Sequence, residues 1–428
     1  MVVLLAALAI MFDGMDIQTM GFAIPAIAKD WGVAKSSFGP VLGAGLFGVG
    51  IGTIVGGLVG DRYGRRIALL SNVLVFAAAT LAMAFTHSIP SILILRIAAG
   101  LGIGGAMPNA AALTAEYTPT NRRPFAVTLT IVCVPLGGLV AGLVASSLLP
   151  GHSWRLLFLI CGGAPLLLLG ILALFLPESP RFLAGQPSRR IQLDQTMARM
   201  GRALPDGAVV KRQEGLGSPA KARILELLGP ELARDSALLW MAFFLCLTAV
   251  YLAFNWLPSI LAGQGFGLKR ASQGLAFYNF GGIFGALGFG FWINFKGSRA
   301  PMLWGSACAA LSGGTAAWLL RVPHPSAFLL FALIGAHGFF VNAIQTTLYA
   351  LAAHRYLTRI RATGVAAALA IGRIGAILSA FLGASILRLG SSAYFALLAV
   401  CMAGVLLALA GIGRHIGDAE SGAVKHQP

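Results

Sequence analysis

Of the 428 residues in this chain, 57% are hydrophobic and only 11% are charged, against about 25% charged in an average soluble domain. That balance excludes a soluble enzyme, and the 55 glycines and 20 prolines follow no triplet or low-complexity pattern, which excludes fibrous and disordered classes. The formal charge of +17 is dispersed between apolar runs rather than gathered on one stripe, so no nucleic acid partner is expected; the expected partner is a lipid bilayer.

In chain order, apolar runs read as membrane spans near residues 2–24, 38–60, 67–86, 90–115, 124–149 and 155–177. A second set follows near 238–262, 271–294, 300–320, 325–352, 362–388 and 391–413. The expected fold is an all-α membrane protein of twelve transmembrane helices in two six-helix pseudo-symmetric halves, residues 1–177 and 238–413. A polar stretch at 178–237, with ten Lys/Arg and seven Asp/Glu, is the expected cytoplasmic central loop, and 414–428 the cytoplasmic tail. The first run, Val2 to Phe12, lacks the positively charged start of a secretory signal and continues past two aspartates for a full span. It therefore reads as the first transmembrane helix, with a cytoplasmic tail ahead of it missing through truncation or choice of start. Cys133, Cys161, Cys246, Cys308 and Cys401 all lie in apolar runs without Cys-x-x-Cys spacing, so neither disulfides nor a metal site is expected. No nucleophile constellation or phosphate loop occurs, which predicts no catalysis and no cofactor.

Of the 31 Lys/Arg, 22 lie on the side shared by the termini and the central loop, 7 lie on the other, and Arg96 and Arg373 sit within spans. Leaving out the ten in the central loop still gives 12 against 7. By the positive-inside rule both termini are cytoplasmic, in a multi-pass protein of the cell inner membrane. Gly57, Asp61, Gly64 and Arg66 after span 2 recur as Gly290, Asn294, Gly297 and Arg299 after span 8, at a constant offset of 233. Tyr117 and Arg122 recur as Tyr356 and Arg361, with six residues of drift. Many secondary transporters consist of two such repeats, with binding sites at the repeat interface near the midplane. Gly43, Gly45, Gly48, Gly50 and Gly52 in span 2, and the glycines of span 4, read as devices for close helix packing.

The loop Gly57–Arg66 (Gly-Leu-Val-Gly-Asp-Arg-Tyr-Gly-Arg-Arg) resembles the signature loop of the major facilitator superfamily, and it falls between spans 2 and 3 as that motif should. Several motifs narrow the resemblance to the aromatic acid:proton symporter family. They are Asp13-Gly14-Met15-Asp16, Arg96 with the glycine-rich run to Pro108-Asn109 and Glu116, Pro177–Leu183, Asn255–Pro258, Leu348–Ala353, and Arg361–Gly364 with Gly372–Gly375. Together they cover nearly the whole chain. The resemblance implies alternating access between two halves and import of an aromatic carboxylate with protons. Asn294 departs from the pattern, standing where the repeated loop would carry an acid.

Charges inside spans cost about 2.5–3.5 kcal/mol each on insertion scales and so require a partner or a water-filled cavity. At the helical rise, Asp16 sits ~20 Å and Arg96 ~21 Å above the cytoplasmic face, so the two are expected to pair. Protonating Asp16 would release Arg96 and bias the packing of the first half; the alternative is a permanent salt bridge that only orders spans 1 and 4. Asp13, three residues earlier on the same face, either has a role in proton or substrate binding or serves as a hydrogen-bonding residue of the bundle. Arg373 and His337 both come out near the midplane. A guanidinium there grips a substrate carboxylate or pairs between helices, and His337 contacts substrate, relays protons or packs. Asn109, Asn255, Asn279, Asn342 and Gln345 are candidates for bonding ring substituents, with Trp256, Tyr278, Tyr251, Phe339 and Phe340 as planar faces. Asp61, Arg62, Arg65, Arg66 and Glu116 read as a gate, in which Asp61 accepts from arginines and from helix N-terminal amides on the cytoplasmic side; a purely topogenic role for the arginines fits equally.

The expected function is proton-coupled import of small, hydroxybenzoate-like aromatic carboxylates by a functional monomer. The competing readings are a transporter of another organic anion or of a sugar-like solute, and a drug/proton antiporter.

Overall fold

The computed structural model describes residues 1–119, 122–200, 226–229, 232–323, 325–357 and 360–417, so parts of the central loop and the tail from 418 onward, and the Asn294 side chain, lie outside the described residues. Twelve long helices carry the chain: α1 (Val2–Trp31), α2 (Gly39–Tyr63), α3 (Arg65–Met83), α4 (Ile89–Tyr117), α5 (Arg123–Leu148) and α6 (Trp154–Phe175), then α7 (Ala233–Gly263), α8 (Leu268–Lys296), α9 (Arg299–Leu319), α10 (Ala327–Arg355), α11 (Arg361–Ile386) and α12 (Ser391–Gly411). Eleven are long and apolar enough to cross a bilayer; α9 has the length, 21 residues, but Ser306, Ser312, Gly305, Gly313 and Gly314 dilute its hydropathy. Short helices Pro180–Ala184 and Arg190–Arg199 occupy part of the stretch read from sequence only as a polar loop.

Several helices outrun their apolar runs. α1 continues to Trp31 through Pro25, which is tolerated where neighbouring helices satisfy the freed backbone groups. The extension puts Asp16 at the middle of α1, fourteen residues from Val2 and fifteen from Trp31.

Contacts divide the chain into two compact units, each described by itself. The first comprises Met1–Ile17, Phe47–Gly137 and Phe158–Gly217; the second comprises Gln18–Leu46, Gly138–Leu157 and Ser218–Pro428. Within the first, glycines bring helix backbones together: a methyl group on Gly52 would lie 2.2 Å from the Leu101 carbonyl oxygen, and one on Gly104 2.1 Å from that of Val49. Within the second, a methyl on Gly281 would meet the Gly335 carbonyl at 2.0 Å and one on Gly285 that of Phe339 at 1.9 Å. Gly281 and Gly285 are Gly48 and Gly52 moved by the same 233 residues that relate the two loops. The duplication therefore extends from loop chemistry into helix packing: α2 packs on α4 as α8 packs on α10. Gly64 (φ 105°) and Gly297 (φ 66°) repeat as well, each turning the chain into the next helix through a conformation that side chains avoid.

The second unit also holds the later parts of α1 and α5 and the first part of α2. Gly21 abuts the Phe254 carbonyl, where a methyl would stand 2.3 Å away, and Lys35 Nζ donates to the Ser259 carbonyl at 3.2 Å.

Candidate functional site

Asp16 is fully buried and Arg96 is 5% exposed. Close packing of α1 on α5, where a methyl on Gly137 would lie 1.9 Å from the Met11 carbonyl, leaves another face of α1 to meet α3 and α4. Arg96 Nη1 donates to Asp16 Oδ2 at 3.5 Å and to the Asp16 carbonyl at 3.4 Å, and Thr80 Oγ1 donates to Asp16 Oδ1. Three helices thus converge on one carboxylate. A buried pair persists only when its remaining lone pairs are hydrogen-bonded, and Thr80 supplies that bond. Helix rise gave the shared height of Asp16 and Arg96; nothing in the sequence distinguished Thr80 from other span threonines. Asp13 is buried on the same helix.

The loop after α2 is neutralised within its own unit. Asp61 accepts from Arg65, whose Nη1 also donates to Asn109 Oδ1 at 3.1 Å. The α3 N-terminal amide is met by Glu178, whose Oε1 accepts from the Arg66 N–H at 3.0 Å, because the short connection after α6 brings this acid to the start of α3. Arg66 Nη2 donates to the Ala173 carbonyl at 2.5 Å, and Tyr117 Oη donates to the Glu178 carbonyl at 2.7 Å. Glu116 Oε2 accepts from Ser179 Oγ at 2.5 Å and from the Arg181 N–H at 3.3 Å. Arg62 stands apart from this network, over the Tyr63 ring at 5.5 Å.

In the second unit a polar and aromatic strip crosses α11, α7, α8 and α10. Arg373 Nη1 donates to Tyr251 Oη at 3.0 Å. From Tyr251 the ring centroids run to Phe254 (5.8 Å), Tyr278 (6.0 Å) and His337 (6.3 Å). His337 Nδ1 lies 2.9 Å from the Ala309 carbonyl, which can only accept, so Nδ1 carries the proton. Nε2 is then an acceptor, buried and with no hydrogen-bond partner among the described residues. Asn255 Nδ2 is a buried donor in the same condition. Gln345, half-buried on α10, lies one turn before Tyr349. Gln18, unremarked in the sequence, exchanges two bonds with Asn279: Gln18 Nε2 donates to Oδ1 at 3.2 Å and Asn279 Nδ2 donates to Oε1 at 2.7 Å.

Other sequence expectations are corrected. Asn109 is not free for a solute, since its Nδ2 donates to the Gly56 and Gly105 carbonyls and its Oδ1 holds Arg65. Asn279 is occupied by Gln18 and by the Leu275 carbonyl. Asn342 Nδ2 donates to the Gly338 carbonyl at 2.9 Å. Trp256 packs where α7 meets Gly383 of α11, ten residues beyond Arg373, and its buried Nε1 has no hydrogen-bond partner among the described residues. Phe339 and Phe340 join Phe289 at 6.1 and 6.4 Å, away from the Tyr251–Tyr278 strip.

An acid and a guanidinium buried together within membrane helices, and a polar strip inside apolar helices of a duplicated bundle, are features of polytopic membrane transporters. The chain belongs to the Major Facilitator Superfamily, whose family model matches residues 6–380. It is 34% identical over 390 residues to a gallate transporter of Pseudomonas putida, covering 91% of this chain and 86% of the relative. It is 35% identical over 392 residues to the 4-hydroxybenzoate transporter PcaK of Acinetobacter baylyi, covering 90% and 84%. A 3-(3-hydroxy-phenyl)propionate transporter of Escherichia coli is 32% identical over 408 residues, covering 94% and 91%. The fold matches a proton:xylose symporter, XylE, with TM-score 0.73 at 17% identity over 97% of this chain and 95% of that one. The chain is a multi-pass membrane transporter and not an enzyme.

Proposed function

We propose that this transporter imports small aromatic carboxylates together with protons, in the cell inner membrane, as a monomer with both termini cytoplasmic. One observation carries the reading: Arg373 lies at mid-span on the Tyr251 hydroxyl, and residues 236–417 contain no Asp or Glu at all. No side-chain carboxylate of residues 236–417 competes with that of a solute for Arg373, which supports an anionic solute. Such a guanidinium holds a carboxylate through parallel hydrogen bonds, while the Tyr251–Phe254–Tyr278 rings offer faces to an aromatic ring. The unused His337 acceptor and Asn255 donor suit hydroxyl substituents, in keeping with relatives named for gallate and 4-hydroxybenzoate.

Proton coupling falls to Asp16. Protonation turns the Asp16–Arg96 pair into a buried neutral acid beside a charge, which favours a different packing of α1, α3 and α4. Asp61, Arg65, Arg66, Glu116 and Glu178 form the gate network on the cytoplasmic face. The orientation rests on the 22-to-7 distribution of basic residues.

The test is uptake into proteoliposomes under an inward proton gradient, with 4-hydroxybenzoate, gallate and xylose as competing solutes. Accumulation of the aromatic acid, lost with a protonophore and unaffected by xylose, is expected. Preference for xylose, or efflux driven by the same gradient, would replace this reading with a sugar porter or an antiporter.

A further inference from the structure

The second copy of the signature loop carries a different chemistry from the first. Between α8 and α9, Lys296, Arg299, Ala300, Leu303, Trp304, His415, Ile416 and Gly417 line an open surface cavity. The tail is pinned there by reciprocal bonds: Ser298 N–H donates to the Ile416 carbonyl at 3.0 Å, and the Ile416 N–H donates to Ser298 Oγ at 2.9 Å. A peptide carbonyl thus serves the start of α9 where the carboxylate of Glu178 serves the start of α3. Asn294 replaces Asp61 in the sequence, so the loop between α8 and α9 carries no acid. Among the described residues, the carboxylate of Asp235 is committed to Arg355 Nε at 2.6 Å and to the Gly413 N–H at 3.2 Å. Lys296 and Arg299 make no salt bridge among the described residues. Burial lowers the tendency of His415 to take a proton, and its Nε2 faces the Leu409 carbonyl at 3.2 Å, so the ring adds structure rather than charge. Trp304, one and a half turns into α9 from Arg299, is 66% exposed, with Phe291 and Phe295 exposed at the end of α8. Exposed aromatics beside cations at a helix end are the pattern of a membrane–water interface.

We propose that this cavity binds the phosphate of an acidic phospholipid headgroup, with Lys296 and Arg299 as its cationic contacts and Trp304 beside the upper acyl chain. The site is separate from the solute strip and does not depend on which solute is carried. Basic pockets between transmembrane helices recognise such headgroups, and the exposed aromatic band favours a lipid over a free phosphate.

The experiment reads Trp304 fluorescence as the difference between the wild-type protein and Trp304→Phe. The protein is reconstituted in phosphatidylcholine vesicles doped with either brominated phosphatidylglycerol or, at the same fraction, brominated phosphatidylcholine. Two basic residues at a membrane surface favour the acidic lipid by roughly tenfold or more, so half-quenching comes at a correspondingly lower fraction of phosphatidylglycerol. The preference disappears in Lys296→Gln/Arg299→Gln and survives in Lys296→Arg/Arg299→Lys, which keeps both charges and controls for folding. Equal quenching by the two lipids overturns the proposal, as does a preference that survives the double glutamine variant. Displacement of phosphatidylglycerol by inorganic phosphate at constant ionic strength also overturns it, assigning the cavity to a free anion.

Discussion

The two halves of the chain each place a guanidinium within a membrane helix and answer it differently. Arg96 meets the carboxylate of Asp16, itself bonded by Thr80, whereas Arg373 meets the neutral hydroxyl of Tyr251. The repeated loops differ too: in the first, Asp61 accepts from Arg65 and Glu178 from the Arg66 N–H, whereas in the second the Ile416 carbonyl accepts from the Ser298 N–H. The first half buries Asp13 and Asp16 inside a helix, whereas residues 236–417 contain no Asp or Glu, and Asp235 just ahead of them pairs with Arg355.

The largest effect expected from breaking this contrast is at Asp16. Asp16→Asn abolishes accumulation against a gradient while counterflow persists in part, and uphill accumulation by the variant would remove the proton role. Stranding the Arg96 charge costs about 3–5 kcal/mol, so the melting temperature falls. Asp16→Asn/Arg96→Gln recovers melting but not accumulation; recovery of both would reduce the pair to a structural salt bridge.

Next in size is Arg373→Ala. Losing a charge-assisted hydrogen bond of about 1.5–3 kcal/mol weakens binding of an aromatic carboxylate by roughly ten- to a hundredfold. The matching aromatic amide, which has no carboxylate, should compete equally with both proteins, and an equal loss for acid and amide would point to packing damage instead. Tyr251→Phe removes only the hydroxyl that positions Arg373, so the apparent KM rises about fivefold, the equivalent of about 1 kcal/mol. A KM within error of wild type would show that Arg373 is held by other groups.

Smaller changes are expected at the gate. Asp61→Asn lowers the uptake rate at unchanged membrane abundance, whereas a parallel fall in abundance would assign the loop to topogenesis. Glu178→Gln weakens a carboxylate at the α3 N-terminus, an interaction of about 0.3–1 kcal/mol. Thermal unfolding should register it as a shift smaller than that of Asp16→Asn, and a larger shift would make this connection the dominant lock of the first unit.

Twelve spans, the repeat offset of 233 and the pairing of Asp16 with Arg96 were legible in the sequence, because hydropathy, spacing and helix rise fix position along the membrane normal. Direction around each helix was not legible. Asn109 lies at a height open to a solute but points to Arg65 and the Gly56 carbonyl; Phe339 and Phe340 turn to Phe289 rather than to Tyr278. Glu178 reaches the Arg66 amide across 112 residues, and Gln18 finds Asn279 across 261. A one-dimensional pattern sets which residues share a depth. Only the packing of helices at their glycine contacts selects, among residues at one depth, those that face each other.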